Sequence, residues 1–147
     1  MLKIIYITLF FCFSSQSLFA IEYFLTLRND KVNLRQGPSF EYPIKLFYKK
    51  KFLPVLIQDQ SDNFRKIRDH ENNSGWIHVS QLSKRKAAIT VDEDVMIFKR
   101  PTVFSKPQVK LQKGKLCLIS KCSEEWCKVR VNDYKGWIKK ESLWGRL

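Results

Sequence analysis

The chain has 147 residues, with 27 Lys and Arg against 14 Asp and Glu, a formal net charge of +13 and 44% hydrophobic residues. This mixture, without any low-complexity segment, excludes a disordered chain and leaves room for two small globular units. A basic tail is excluded too, because residues 21–86 and 87–147 each carry 13 basic and 7 acidic side chains.

At the N-terminus Lys3 precedes an unbroken apolar run, residues 4–13 (IIYITLFFCF), followed by residues 14–20 (SSQSLFA), a polar stretch ending in a small residue. That order is that of a secretory signal peptide, with cleavage expected after Ala20. The rival reading is a membrane anchor, but the run falls well short of the ~20 apolar residues that span a bilayer. Lipid attachment through Cys12 is disfavoured by the bulky Phe11 before it. The expected mature chain is periplasmic or secreted, without stable membrane insertion. Export makes nucleic acid an unexpected partner despite the charge, and an anionic envelope surface a more compatible one.

Next in order comes VNLRQGPS (32–39). Gly37 and Pro38 favour a turn, since Pro fixes φ and Gly permits unusual values. Asn33 and Arg35 have the reach to hydrogen-bond loop backbone around it. Phe40, Tyr42, Phe47 and Tyr48 are read as lying in the long first loop. Val55 and Ile57 alternate with Leu56 at strand period. Residues 64–67 form a short strand with one apolar face. DHENNSG (69–75) is a polar turn ending in Gly75, which is expected to let the chain turn into the strand that opens with Trp76. SKRKAA (83–88) reads as a short, partly ordered connector.

The second half repeats the first. GWIHVSQL (75–82) returns as GWIKKESL (136–143), and KFLPVLI (51–57) lies beside KGKLCLI (113–119). Pro38 falls on Pro101, Phe64 to Ile67 on Trp126 to Val129, and Gly75 and Trp76 on Gly136 and Trp137. The order and spacing of these landmarks indicate an internal repeat of about sixty residues, suited to two separate small domains. Five or so short strands per copy, with frequent turns and no sustained helical stripe, predict a small β-barrel. The expected organisation is a signal peptide (1–20), a first domain (21–85) and a divergent second one (86–147).

Three cysteines remain after the signal, all in the second half. Cys117 aligns with Val55, a core position, and reads as a small buried hydrophobe. Cys122 and Cys127 flank a turn, and proximity favours a disulfide between them. Strand alternation argues against that pairing, because it sends Cys122 to the face opposite Cys117 unless the turn is twisted or bulged. Cys117 with Cys127 therefore stays open. Neither a metal site nor a cofactor is expected, since structural zinc wants four ligands at tight spacings.

These residues resemble the bacterial SH3 (SH3b) domain family. VNLRQGPS, LPVLI, NFRKIRD and GWIHVSQL carry the resemblance in order, and LCLISKCSEEWCKV with YKGWIKKESLWG is similar to the second domain of exported tandem SH3-like proteins. The resemblance implies an all-β chain of two tandem SH3-like barrels. Asn33, Arg35, Gly37, Pro38, Gly75, Trp76, Gly136 and Trp137 would be its structural signature, with each Trp capping its barrel. The second copy departs from it, with Met96, Phe98 and Arg100 where the first has Asn33, Arg35 and Gly37.

Function follows from what is present and absent. The chain lacks HExxH, GxSxG and phosphate-cradling motifs, each Cys sits in a repeat strand, and His70 and His78 read as surface or satisfied histidines. With the last strand ending near Leu147, no downstream catalytic domain is expected. The candidate ligand-binding residues are Phe40, Tyr42, Tyr48, Phe64 and Trp126, aromatic shelves beside lysines that suit sugars or peptides. The expectation is a non-enzymatic exported binding module recognising cell-wall peptide or glycan, as the resemblance implies. The alternatives are a protein–protein adaptor docking an exported enzyme or envelope assembly, and plain electrostatic attachment to an anionic surface.

Overall fold

The computed structural model describes residues 22–147, so the expected signal peptide lies outside the described residues. The chain is all-β. The first half contributes β1 (Tyr23–Leu27), β2 (Val32–Arg35), β3 (Ile44–Tyr48), β4 (Pro54–Ser61), β5 (Phe64–Arg68), β6 (Ser74–His78) and β7 (Leu82–Ser83). The second contributes β8 (Ala87–Thr90), β9 (Val95–Phe98), β10 (Pro107–Leu111), β11 (Leu116–Cys122), β12 (Trp126–Val131), β13 (Tyr134–Lys139) and β14 (Leu143–Arg146). A single 3-10 turn precedes the last strand of each half, Val79–Gln81 and Lys140–Ser142. Among the described residues no helix is long and apolar enough to cross a membrane.

The two sheets have one topology. The first runs β3-β2-β6-β5-β4-β1-β7, and the second β10-β9-β13-β12-β11-β8-β14, so each strand has its counterpart seven places later. Each half curls around its own core. Val55, Ile67 and Ile77 lie in the first, and Cys117, Val129 and Ile138 in the second, all essentially inaccessible to water. These are the alternate positions of strands read from the sequence, as pairing with one buried face requires.

Several local expectations change. Phe47 and Tyr48 belong to β3 and not to the first loop. The polar turn over 69–75 is shorter than expected, because β6 already begins at Ser74; its counterpart in the second domain is only Asn132 and Asp133. Gly75 and Gly136 are not turn residues: both are buried within strands. A side chain at Gly75 would meet the Arg35 carbonyl at 2.7 Å, and one at Gly136 would meet the Phe98 carbonyl at 2.5 Å. They are small so that β2 and β9 can cross closely. The following tryptophans do not cap the barrels. Trp76 and Trp137 alternate with the core residues Ile77 and Ile138 and lie half-buried on the outer face.

The disulfide joins Cys122 to Cys127. Its register explains how. Ile119 pairs with Val129 but Lys121 with Lys128, so Ser120 is an extra residue that bulges out of β11. The bulge reverses the alternation, returning Cys122 to the core side opposite Cys127. Gln58 makes the same bulge in β4. Cys117 is a free thiol, buried in the second core.

The connector is short and held at several points. Only residues 84–86 separate β7 from β8. The Arg85 carbonyl accepts from Thr26 Oγ1 at 2.9 Å, and the Lys84 carbonyl from Arg146 Nε at 2.9 Å. The domains then pack β8 and β14 on β1 and β4. Ile89, from a strand of the second sheet, is buried in the first domain's core cluster, and Trp144 packs against it. Arg146 Nη1 donates to the Phe24 carbonyl at 2.9 Å. This is why residues 54–57 are buried on both faces of their strand: one face fills the barrel, and the other is roofed by the second domain.

Candidate functional site

The loop after β2 is shaped by Arg35. Its Nη1 donates to the carbonyls of Phe40 at 3.0 Å and Tyr42 at 2.9 Å, which draws the loop back over the barrel and lays the guanidinium 5.4 Å from the Phe40 ring. Asn33 does not share this role; its Oδ1 is buried without a hydrogen-bond partner among the described residues. Gly37 is required by Tyr42, whose ring lies where a β-carbon would be, 2.5 Å from that position.

Phe40 projects from the loop, 64% exposed, and meets two other rings. Its centroid lies 5.2 Å from Phe64 and 5.0 Å from His78, and those two are 5.1 Å apart. Pro38, Ser39, Glu41, Asp62 and Asn63 complete a cleft of about 350 Å³. Phe64 is buried yet outside the core cluster, so it forms the floor while Phe40 forms a wall. The Ser80 backbone N–H donates to His78 Nδ1 at 3.2 Å, and Ser80 Oγ lies 2.7 Å from the same nitrogen. With Nδ1 accepting, the neutral ring carries its proton on Nε2, leaving that edge as a donor.

The second domain builds a cleft from the equivalent positions. Phe64 pairs with His78 across β5 and β6, and Trp126 pairs with Lys139 across β12 and β13. Trp126, Lys139, Lys140 and three glutamates, Glu124, Glu125 and Glu141, enclose about 450 Å³. Lys139 Nζ reaches Glu141 Oε1 at 3.8 Å, an exposed pair standing where the first domain has His78 and Ser80. Phe98, in the place of Arg35, packs edge-on against Trp126 at 5.6 Å. The loop keeps its backbone bonds, with Lys99 N–H to the Lys106 carbonyl matching Gln36 N–H to the Pro43 carbonyl. At the position of Tyr42 stands Ser105, which is buried and accepts from the Arg100 N–H.

Of the five aromatic candidates, Phe40 and Phe64 therefore meet in one cleft and Trp126 floors its counterpart. Tyr42 covers Gly37 instead. Tyr48 is set apart: its hydroxyl donates to Asp69 Oδ2 at 3.0 Å, and the ring packs on the first core. Asp69 is buried and also accepts from the N–H groups of Glu71 and Asn73, so Tyr48 braces the 69–73 turn. Burial first, then the Asp69 carboxylate, push the Tyr48 phenol well above its ordinary range. His78 and Lys139 are the cleft residues that sequence reasoning passed over. Their signal was positional: each directly follows the repeated Gly-Trp-Ile, at the strand end opposite the aromatic that opens the preceding strand. Among the described residues no cluster of three His, Cys, Asp or Glu side chains is arranged to hold a metal.

Among solved structures, the chain is similar to NlpC2 from Trichomonas vaginalis (14% identity, TM-score 0.39), covering 86% of this chain and 49% of that one. It is also similar to NlpC1 from the same organism (15%, TM-score 0.38; 92% and 50%) and to an NlpC/P60 family protein from Bacillus cereus ATCC 10987 (10%, TM-score 0.38; 83% and 56%). The chain thus spans about half the length of these proteins. No curated protein matches it in sequence. The family model of the bacterial SH3 domain matches twice, over residues 28–84 and 91–145, one match to each sheet. The chain belongs to the bacterial SH3 domain family, as a tandem pair.

Proposed function

We propose that this protein is a non-enzymatic, exported binding module of the cell envelope that recognises cell-wall peptide or glycan through the clefts beside Phe40 and Trp126. Bacterial SH3 domains are in general protein- or cell-wall-binding modules, and membership of that family sets the class. The observation that carries the reading is the repetition of the cleft. In both domains the first residue of the fifth strand, β5 or β12, is an aromatic floor, faced across the ladder by a polar side chain at the end of the next strand. An apolar floor with a polar rim suits a sugar ring or a short peptide. Two modest sites on one chain gain by avidity where a polymer engages both.

The test is co-sedimentation of the purified protein with peptidoglycan sacculi at low and high salt. The expected outcome is binding that persists in high salt and weakens about tenfold when exposed Phe40 is changed to Ser, a loss in the range of an interface anchor. Complete recovery in the unbound fraction at low salt removes the proposal. Crosslinking in the native envelope that yields a single stoichiometric protein partner would instead favour an adaptor.

A further inference from the structure

Phe52 adopts a backbone conformation that its side chain opposes. Its φ is 64°, in the left-handed region, while its counterpart in the second domain is Gly114, with φ 80°. Both N–H groups donate to equivalent strand carbonyls at 2.8 Å, Phe52 to Leu27 and Gly114 to Thr90. A bulky residue in this region costs about 1–2 kcal/mol where glycine costs almost nothing. The first domain nonetheless carries a phenylalanine there. Its half-buried ring lines a groove at the junction of the two domains, with Lys51 Nζ 5.1 Å and Arg85 Cζ 5.9 Å from its centroid.

That groove is uniformly basic. Next to Phe52 it has about 350 Å³ lined by Lys50, Lys115 and Arg130. A second stretch of about 320 Å³, lined by Arg85, Lys128, Arg130 and Lys135, shares Arg130 and Leu118 with the first, so the two are continuous. All six of these side chains are exposed, none forms a salt bridge among the described residues, and no carboxylate lines either stretch. The floor is apolar, from half-buried Leu116 and Leu118, which alternate with the core residues Cys117 and Ile119 and so lie on the outer face of β11.

We infer that this junction groove binds a linear anionic polysaccharide, with Phe52 and the leucines under the sugar rings and the six cations on its charged groups. The continuous concave shape fits a chain and not a flat bilayer, and the apolar floor gives sugar faces a surface that charge alone does not provide. This site is distinct from the Phe40 and Trp126 clefts.

The experiment is calorimetric titration of the purified protein with polygalacturonate oligomers at about 0.1 M salt, where surface charges remain effective at ~10 Å. Phe52→Gly suits the native φ, so its thermal midpoint should equal or exceed that of the parent while affinity falls about tenfold, the loss of one aromatic platform. Lys128→Glu with Arg130→Glu should abolish binding, neutral dextran should not bind, and Phe40→Ser should leave polygalacturonate affinity unchanged. The proposal is overturned if polygalacturonate fails to bind, if Phe52→Gly binds as tightly as the parent, or if Phe40→Ser removes the binding. Tighter binding of phosphatidylglycerol vesicles or of a single-stranded oligonucleotide than of polygalacturonate would overturn it equally.

Discussion

Phe24 and Trp144 meet edge to face, ring centroids 4.9 Å apart and planes at 87°, and so join the first strand of one domain to the last strand of the other. Around them Arg146 bonds to Phe24 and Lys84, and Ile89 is buried in the first domain's core. The domains are therefore one packed body whose halves share apolar surface.

Trp144→Ala should uncouple them. Calorimetry is expected to show one transition for the parent and two for the variant, with the first domain losing about 2 kcal/mol from the missing aromatic contact and the opened interface. One unshifted transition would show that the interface contributes nothing.

The paired exchange of Gly37 and Tyr42 for Arg100 and Ser105 predicts strong coupling. Gly37→Arg should destabilise the first domain by about 2–3 kcal/mol, because its β-carbon collides with the Tyr42 ring. Adding Tyr42→Ser should restore most of the loss. A urea-denaturation double-mutant cycle measures it, and simple additivity would contradict the steric account.

Arg35→Lys should loosen the loop without unfolding the barrel. A lysine ammonium on its flexible stem lacks the fixed planar geometry by which one guanidinium nitrogen reaches both the Phe40 and Tyr42 carbonyls while the group lies over the Phe40 ring. The expected readouts are faster amide exchange over residues 37–42, a stability loss of about 1 kcal/mol, and weaker sacculus binding. Unchanged exchange would place the loop's order elsewhere.

Burial pushes the Cys117 thiol from 9.0 up to about 12, with the Lys50 charge pulling the other way. The folded state then keeps this proton at pH values where the unfolded chain releases it. The resulting stabilisation is complete below pH 9.0 and is lost as pH climbs toward about 12. Tyr48, also shifted upward, acts in the same direction. Cys117→Val copies Val55 of the first domain and should flatten, without abolishing, the alkaline decline in urea midpoint. An identical decline in both proteins would remove Cys117 as a contributor.

The repeat, the strands and the family were legible in the sequence because they depend on local patterns: alternation over Val55 to Ile57, polar turns, and the spacing of Gly75-Trp76 and Gly136-Trp137. Residues that act within one strand or one turn leave such traces. What the two cysteines do was legible only as alternatives, since a one-residue bulge at Ser120 reverses facing and alternation alone does not announce it. Tyr42 and Tyr48 were grouped with Phe40 by closeness along the chain, but strand pairing sends one to Gly37 and the other to Asp69.

The sequence by itself determined that there are two copies of one β unit, because buried and exposed positions must alternate wherever a strand has one face in a core. Only the tertiary structure decided how those copies share a surface and which side chains meet in a cleft. Ile89 crosses into the other core, His78 faces Phe64, and Phe52 lies against a groove whose cations come from both domains. The reason is distance along the chain. Packing between separate strands, fourteen residues apart for Phe64 and His78 and more for Ile89 and Val55, follows from shape and burial over the whole body, which no local window contains.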